Sequence, residues 1–326
     1  MKKSLVIILC LVMVISAMLV GCSEEKAPET LKFGAGVYVS APTATDATED
    51  KDGSGKVDVT VAAVTVDANG KIVACALDTA SNTVNFTADG KAIAVESFKT
   101  KYEQGDAYKM VEYGGAAKEW YAQADAFETV VKGKTLAEVK ALVADANKGN
   151  DEVVAAGCTI MIHEFVGAIE KAYNAATASN VTADNTLKVT AATEQTCTDA
   201  TEDKDGSNKV ATTVFASAVD ANGKIVAASS DCVEVSFTFT TEGTSTLDTT
   251  KAVLSKKEQG DNYGMKSPYG SAKEWYEHAS AFDAACIGKT PAEVAGLIAE
   301  DGKGVDTLKD AGCTIYVSGF VKAASK

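Results

Sequence analysis

Apolar residues open the chain in one long run and then recur in a pattern that is played twice. Leu5 to Val20 is almost wholly apolar. Beyond it, Val57-Asp58-Val59-Thr60-Val61-Ala62-Ala63-Val64 reads as a strand, Asp67-Ala68-Asn69-Gly70-Lys71 as a turn, and Ile72-Val73-Ala74-Cys75 as its partner. The second round has Val214-Phe215-Ala216, Asp220-Ala221-Asn222-Gly223-Lys224 and Ile225-Val226. An Asn-Gly pair between β-rich runs predicts a hairpin, because both residues tolerate positive φ. Third strands are expected at Val84–Phe86 and Val235–Phe239.

Helical spacing takes over further on. Trp120, Ala124 and Phe127 mark one face of a helix from Ala116 to Val131, and Trp275, Ala279 and Phe282 repeat that stripe. Gly133 and Gly288 stop these helices. Capping boxes start the next ones, Thr135-x-x-Glu138 and Thr290-x-x-Glu293, with Pro291 at the first helical position. Gly157–Ile162 and Gly312–Val317 read as strands, each followed by a helix from Phe165 or Phe320. The fold class is α+β: two tandem homologous domains, each a mostly antiparallel sheet with two to three helices.

The duplication is literal at one place. Thr45-Asp46-Ala47-Thr48-Glu49-Asp50-Lys51-Asp52-Gly53-Ser54 returns letter for letter as residues 198–207. The offset is 153 residues there and 155 from Gln104/Gln259 onward. A period this long means whole domains, not a solenoid. The expected organisation is a signal peptide (1–21), a tether (22–30), a first domain (31–176), a small polar linker (177–186) and a second domain (187–326).

Lys2 and Lys3 before the apolar run, and Leu19-Val20-Gly21-Cys22 at its end, read as a lipoprotein signal in which Cys22 is acylated. This places the chain on the outer face of the cell membrane, held by a lipid anchor. Removing both lysines turns the formal charge of −14 into −16, which gives no electrostatic basis for nucleic-acid binding. There is no arginine, so no guanidinium fork is present to clamp a phosphate. The six other cysteines of the mature part lack C-x-x-C spacing and are expected to be mostly free and buried.

Candidate chemistry narrows by exclusion. His163 and His278 occupy different places in the two copies, so no duplicated histidine-based triad or metal site exists, and no phosphate loop motif occurs. A calcium loop with Gly53 of Asp50-x-Asp52-Gly53 at its sixth position fails, because Thr48 stands at its first position and Val59 at its twelfth. The metal expectation is none, and no catalytic residue is assigned. What remains is hydroxyls: Thr45-x-Ala47-Thr48 and Thr198-x-Ala200-Thr201 fit [ST]-x-A-[ST], an acceptor pattern for flavin transferases.

With that pattern, V-D-A-N-G-K-I-V, E-Q-G-D-x-Y-x-M, A-K-E-W-Y and G-K-T-x-A-E-V, the chain resembles the FMN-binding-domain family, notably the two-domain flavinylated lipoproteins of Gram-positive bacteria. The resemblance implies two FMN groups joined by phosphoester to Thr48 and Thr201. It also implies a flavin transferase as modifying partner, a membrane quinone-linked dehydrogenase as electron donor, and extracellular electron acceptors. Such a protein carries electrons and transforms no bound substrate. Gly105, Asp106, Tyr108, Met110 and Trp120, with Gly260, Asp261, Tyr263, Met265 and Trp275, are the candidates for holding the ring; for the tryptophans, core packing is the competing expectation. Lys118, Glu119, Lys273 and Glu274 read as exposed helix charges. The alternative function is a non-redox solute-binding or adhesive surface lipoprotein, with the decapeptide as a recognition loop.

Overall fold

The computed structural model describes residues 29–266 and 270–326. The leader, Cys22 and most of the tether lie outside them. Among the described residues, no helix is long and apolar enough to cross a membrane.

Two antiparallel sheets form an α+β fold. The first contains β1 (Leu31–Val39), β2 (Thr43–Thr45), β3 (Gly53–Val66), β4 (Ile72–Phe86), β5 (Ala92–Ile93) and β6 (Thr177–Val181). Its order is β5-β4-β3-β1-β6, with β2 paired to β3. The second holds β7 (Thr186–Thr198), β8 (Gly206–Val219) and β9 (Ile225–Phe239), in that order. Four longer helices lie on the sheets: α1 (Trp120–Val131) and α2 (His163–Asn174) on the first, α3 (Trp275–Cys286) and α4 (Ser318–Ala324) on the second.

Side chains alternate across a strand, and here both faces are covered. On β3, Ala62, Val64 and Val66 face the helices beside Phe127 and Ile169. Val57, Val59 and Val61 face the other sheet and meet Val210, Val214, Val233 and Phe237. The layers therefore run helix, sheet, sheet, helix, and the central layer is a core shared by both halves. This explains why the β3 sequence is an almost continuous apolar run.

Several expectations need correction. Residues 177–181 are no slack linker: they form β6, which pairs with β1. Their small polar side chains suit an edge strand as well as a coil. Val84–Phe86 and Val235–Phe239 are no separate third strands but the ends of β4 and β9. Gly157–Ile162 and Gly312–Val317 form no strands; each makes only a single bridge, Lys148–Met161 and Lys303–Tyr316. The helix expected from Ala116 begins at Trp120. The strand that the pattern missed is β1, where Gly34 and Gly36 hide the alternation. A Cβ at either would meet the Ala172 backbone of α2, at 2.1 and 2.3 Å, so these glycines let the helix lie directly on the sheet. In the Asn-Gly hairpins only the glycine takes positive φ, +76° at Gly70 and +75° at Gly223. Asp67 Oδ1 accepts from the Asn69 and Lys71 amides at 2.9 and 2.8 Å, a local bond that sets the turn.

The halves meet through contacts that come in matched pairs. The Ala47 amide donates to the Gly243 carbonyl and the Ala200 amide to the Gly90 carbonyl, both at 2.8 Å. The Ser245 amide donates to Asp46 Oδ1 at 2.8 Å, and the Ala92 amide to Asp199 Oδ1 at 2.9 Å. Lys171 pairs with Glu258 at 2.5 Å and Lys326 with Glu103 at 2.6 Å. Phe86 stacks on its own counterpart Phe239, with centroids 4.4 Å apart and planes 3° off parallel. Contacts that swap under exchange of the halves define a pseudo-two-fold axis, and an isologous surface must match itself. Part of the decapeptide repeat is thereby explained: Asp46, Ala47 and Gly53 belong to this surface.

Gly53 has a steric reason to be glycine, since a Cβ there would lie 2.3 Å from the Phe86 ring. That ring is fixed by its stack and cannot retreat. Gly53→Ala is expected to lower unfolding free energy by about 1–3 kcal/mol, as overpacking does, and Gly206→Ala to do the same against Phe239. Urea denaturation of both variants checks this; wild-type midpoints would contradict the shared-core description.

Candidate functional site

Each half carries a cavity built from equivalent parts. The N-terminal cavity, ≈ 390 Å³, is walled by Tyr108, Met110 and Trp120, with Lys101 and Asp58 in its polar part. The C-terminal cavity, ≈ 680 Å³, is walled by Tyr263, Met265 and Trp275, with Lys256 and Glu234. Six sequence-predicted residues are therefore brought together, three in each half. Trp120 and Trp275 are core residues as well, 3% and 4% exposed, packed on Phe165 and Phe320. Packing and lining are both true of them.

Local structure explains how these walls stand. Thr100 and Ser255 open a helical turn through a capping box with Glu103 and Glu258, which aims Lys101 and Lys256 inward. The chain then reverses at Gly105 and Gly260, whose φ values of +50° and +53° favour glycine. Glu119 takes the Met110 and Val111 amides at 2.8 and 3.1 Å, and Glu274 takes those of Met265 and Lys266 at 2.7 and 3.2 Å. These glutamates are anchors for the methionine loop, not exposed helix charges as expected; Glu274 is buried.

Four other sequence-predicted residues do not line a cavity. Gly105 and Gly260 serve the backbone turn, with open space around them. Asp106 and Asp261 instead accept from Tyr121 and Tyr276 hydroxyls, each at 3.1 Å.

The charged pair was missed from the sequence. Lys101 Nζ lies 3.1 Å from Asp58 and 5.8 Å from the Tyr108 and Trp120 ring centres. Lys256 Nζ lies 3.0 Å from Glu234, 4.9 Å from the Tyr263 ring centre and 5.5 Å from that of Trp275. The signal was a lysine two residues before Glu-Gln-Gly in both copies. Its counterion moves: Asp58 is opposite Ser81 across β3 and β4, and Glu234 is opposite Ala211 across β8 and β9. One carboxylate is kept, on alternate members of the same cross-strand pair. Burial pushes the Asp58 carboxyl up, but Lys101, Ser81 and Lys56 outweigh it and hold it below the usual range. Burial likewise opposes charge on Lys256, and Cys232, Tyr263 and Glu234 together raise it.

The hydroxyls Thr48 and Thr201 are elsewhere. Each begins a four-residue turn closed by its own amide on the Lys51 or Lys204 carbonyl, at 2.7 and 2.8 Å, and each is exposed. Thr48 lies in a shallow polar recess with Asp50, Asp52 and Asp89. Lys51 precedes Asp58 by seven residues, which along a strand is roughly 20 Å. The structure does not bring Thr48 to the cavity of its own half. Thr314, which pattern reading had assigned only to a strand, does line the C-terminal cavity. Its segment is held by His278, whose Nδ1 contacts the Gly312 carbonyl at 3.0 Å and the Thr314 amide at 3.3 Å.

The six described cysteines are free; five are buried and Cys197 is exposed. Burial pushes Cys158, Cys232 and Cys313 up to about 11, which keeps them as inert thiols. No group of histidines, cysteines and carboxylates suited to a metal occurs among the described residues.

Away from the cavities, Glu128 is caught between α1 and β4, taking the Leu77 amide at 2.7 Å. Burial raises it to about 7, aided by Asp125. Its counterpart Asp283 has Lys257 at 3.4 Å where the first half has Tyr102.

No family model, curated protein or solved structure matches the chain.

Two stability predictions follow from this geometry. Lys101→Met leaves Asp58 half-buried with the Ser81 hydroxyl at 2.6 Å and the more distant Lys56 at 3.7 Å, and is expected to cost about 3 kcal/mol near neutral pH. Because the Asp58 carboxyl is held low by Lys101, the stability it contributes is present above its unfolded value and fades as pH falls through its folded one. The loss should therefore shrink in acid, and Lys101→Met/Asp58→Asn should recover part of it. For Glu128 the sign is opposite. Its raised carboxyl contributes stability that is intact below the ordinary value of 4.5 and lost as pH rises through about 7. Glu128→Gln keeps an acceptor for Leu77 and should stabilise the protein by about 2 kcal/mol at pH 8, with the gain vanishing near pH 4. Thermal melts across pH decide both.

Proposed function

We propose that this chain is a lipid-anchored surface protein with two homologous FMN-bearing domains, which relays electrons from a membrane quinone-linked dehydrogenase to extracellular acceptors. The twin cavities carry this reading: each offers an indole, a phenol and a thioether around a buried lysine, in both halves. Aromatic walls suit a planar ring, and a lysine paired with a carboxylate suits an anionic ligand in a chain without arginine. Bound FMN would supply one- and two-electron transfer chemistry. The chain's own part is to hold the ring against Tyr108 and Trp120 or Tyr263 and Trp275, and to offset its negative charge through Lys101 or Lys256. Cys22 is the proposed acylation site, and a flavin transferase the proposed modifying partner.

Thr48 and Thr201 remain the proposed attachment hydroxyls. They are exposed, as a modifying enzyme requires, and the identical residues 48–52 and 201–205 around them have no packing role that would keep them alike. Their separation from the cavities favours a second reading, a non-redox solute-binding lipoprotein that takes its ligand without a covalent bond.

Coexpression with a flavin transferase separates the two. The intact protein should gain two FMN masses, and Thr48→Ala and Thr201→Ala should each lose one. Peptide mapping to Thr314 instead would move the attachment site into the C-terminal cavity. A colourless product of unmodified peptide mass would overturn the flavin reading and leave the solute-binding one.

A further inference from the structure

The halves are two versions of one cavity, so their differences show what each selects. Glu164 of α2 projects into the N-terminal cavity and accepts from Thr60 Oγ1 at 3.2 Å. Its counterpart on α4 is Gly319, which sends no side chain into the C-terminal cavity; a Cβ there would already crowd Thr213 Oγ1 at 2.5 Å. Met161 is replaced by Tyr316, whose ring carries Lys303 Nζ at 5.6 Å from its centre. Lys148, the counterpart of Lys303, is exposed and no part of the N-terminal wall.

Two lysines thus face two carboxylates in the N-terminal cavity: Lys56 and Lys101 against Asp58 and Glu164. Among the described residues, Lys256 and Lys303 face one lining carboxylate in the C-terminal cavity, Glu234, which Lys209 also pairs at 3.2 Å. Glu194, 3.8 Å from where a Cβ at Gly319 would stand, does not line the cavity and is paired with Lys322 at 2.6 Å. A carboxylate in a half-buried site repels an incoming anion more strongly than one in water. Volume acts in the same direction, ≈ 390 against ≈ 680 Å³.

We infer that the C-terminal cavity is the high-affinity site for a planar aromatic anion, an aryl phosphate, sulfonate or carboxylate, and that Lys303 and the absence of a side chain at Gly319 determine this. Glu164 makes the N-terminal cavity the weaker site for the same class. The inference rests on the flavin reading only for the identity of the natural ligand.

The chain has two tryptophans, one beside each cavity, so each site can be read separately. Trp120→Phe leaves Trp275 to report the C-terminal cavity, and Trp275→Phe leaves Trp120 to report the other. Flavin-free protein is titrated with FMN and with uncharged riboflavin, then with anilinonaphthalene sulfonate and its neutral analogue N-phenylnaphthylamine. Quenching of Trp275 should need about tenfold less FMN than quenching of Trp120, a difference of about 1.4 kcal/mol. Riboflavin should keep only the smaller part of that preference that volume sets. Lys303→Gln should weaken FMN but not riboflavin at Trp275, while Glu164→Gln should strengthen FMN at Trp120. Glu164→Ala adds volume to the charge change and should strengthen it further. Equal FMN affinities at the two sites, or equal response to charged and neutral probes, overturn the inference. If neither tryptophan responds to FMN but the sulfonate prefers Trp275 over its neutral analogue, the flavin reading falls and this one stands.

Discussion

Phe86 lying flat on Phe239 is the contact from which the rest of the architecture follows. A residue can stack on its own counterpart only where a two-fold axis passes between them, and that axis fixes how the two sheets face each other. With the axis set, the valines of β3 meet those of β8 and β9, and the central layer becomes a core that neither half could fill alone. The helices are left to the outside, where each covers the face its sheet still exposes. The cavities then form at the outer layers, between the sheet and the loops running into α1 and α3.

The cavities depend on a second constraint, the cost of an unpaired charge under aromatic cover. Lys101 and Lys256 are mostly withdrawn from water, and each has a carboxylate at about 3 Å. The two copies satisfy this differently. Asp58 supplies the charge from β3 in one half, and Glu234 supplies it from β9 in the other, at positions that face each other across the ladder. The pairing is retained while the residue supplying it is not.

Much of the fold was legible because it rests on local signals. The capping boxes at Thr135 and Thr290, the Trp-Ala-Phe stripes and the Asp-Ala-Asn-Gly turns all form as their short-range chemistry dictates. What escaped was non-local. Gly34 and Gly36 look like loop residues until a helix is placed on them. Residues 177–181 look like a linker until β1 offers an edge. The apolar letters of Gly157–Ile162 suggest a strand, but burial among helices yields the same letters without a ladder. For the site, aromatic and methionine positions were readable as repeated letters, whereas the counterions were not, because Asp58 and Glu234 do not align. The decapeptide looked wholly chemical, yet its Asp46, Ala47 and Gly53 answer to the two-fold contact.

That contact also governs how the two copies can diverge. Where a residue touches the opposite half at its equivalent place, a change in one copy meets the unchanged original in the other, and both must move together or neither. Phe86 with Phe239 is tied in this way, whereas Asp46 and Asp199 meet backbone amides, of Ser245 and Ala92, whose side chains already differ. Residues that face only their own cavity are under no such bond, and there the copies have drifted: glutamate against glycine, methionine against tyrosine. The molecule thus holds two kinds of inheritance in one chain, a seam whose stacked ring and amide-binding carboxylate are the same in both copies, and two chambers that have become different.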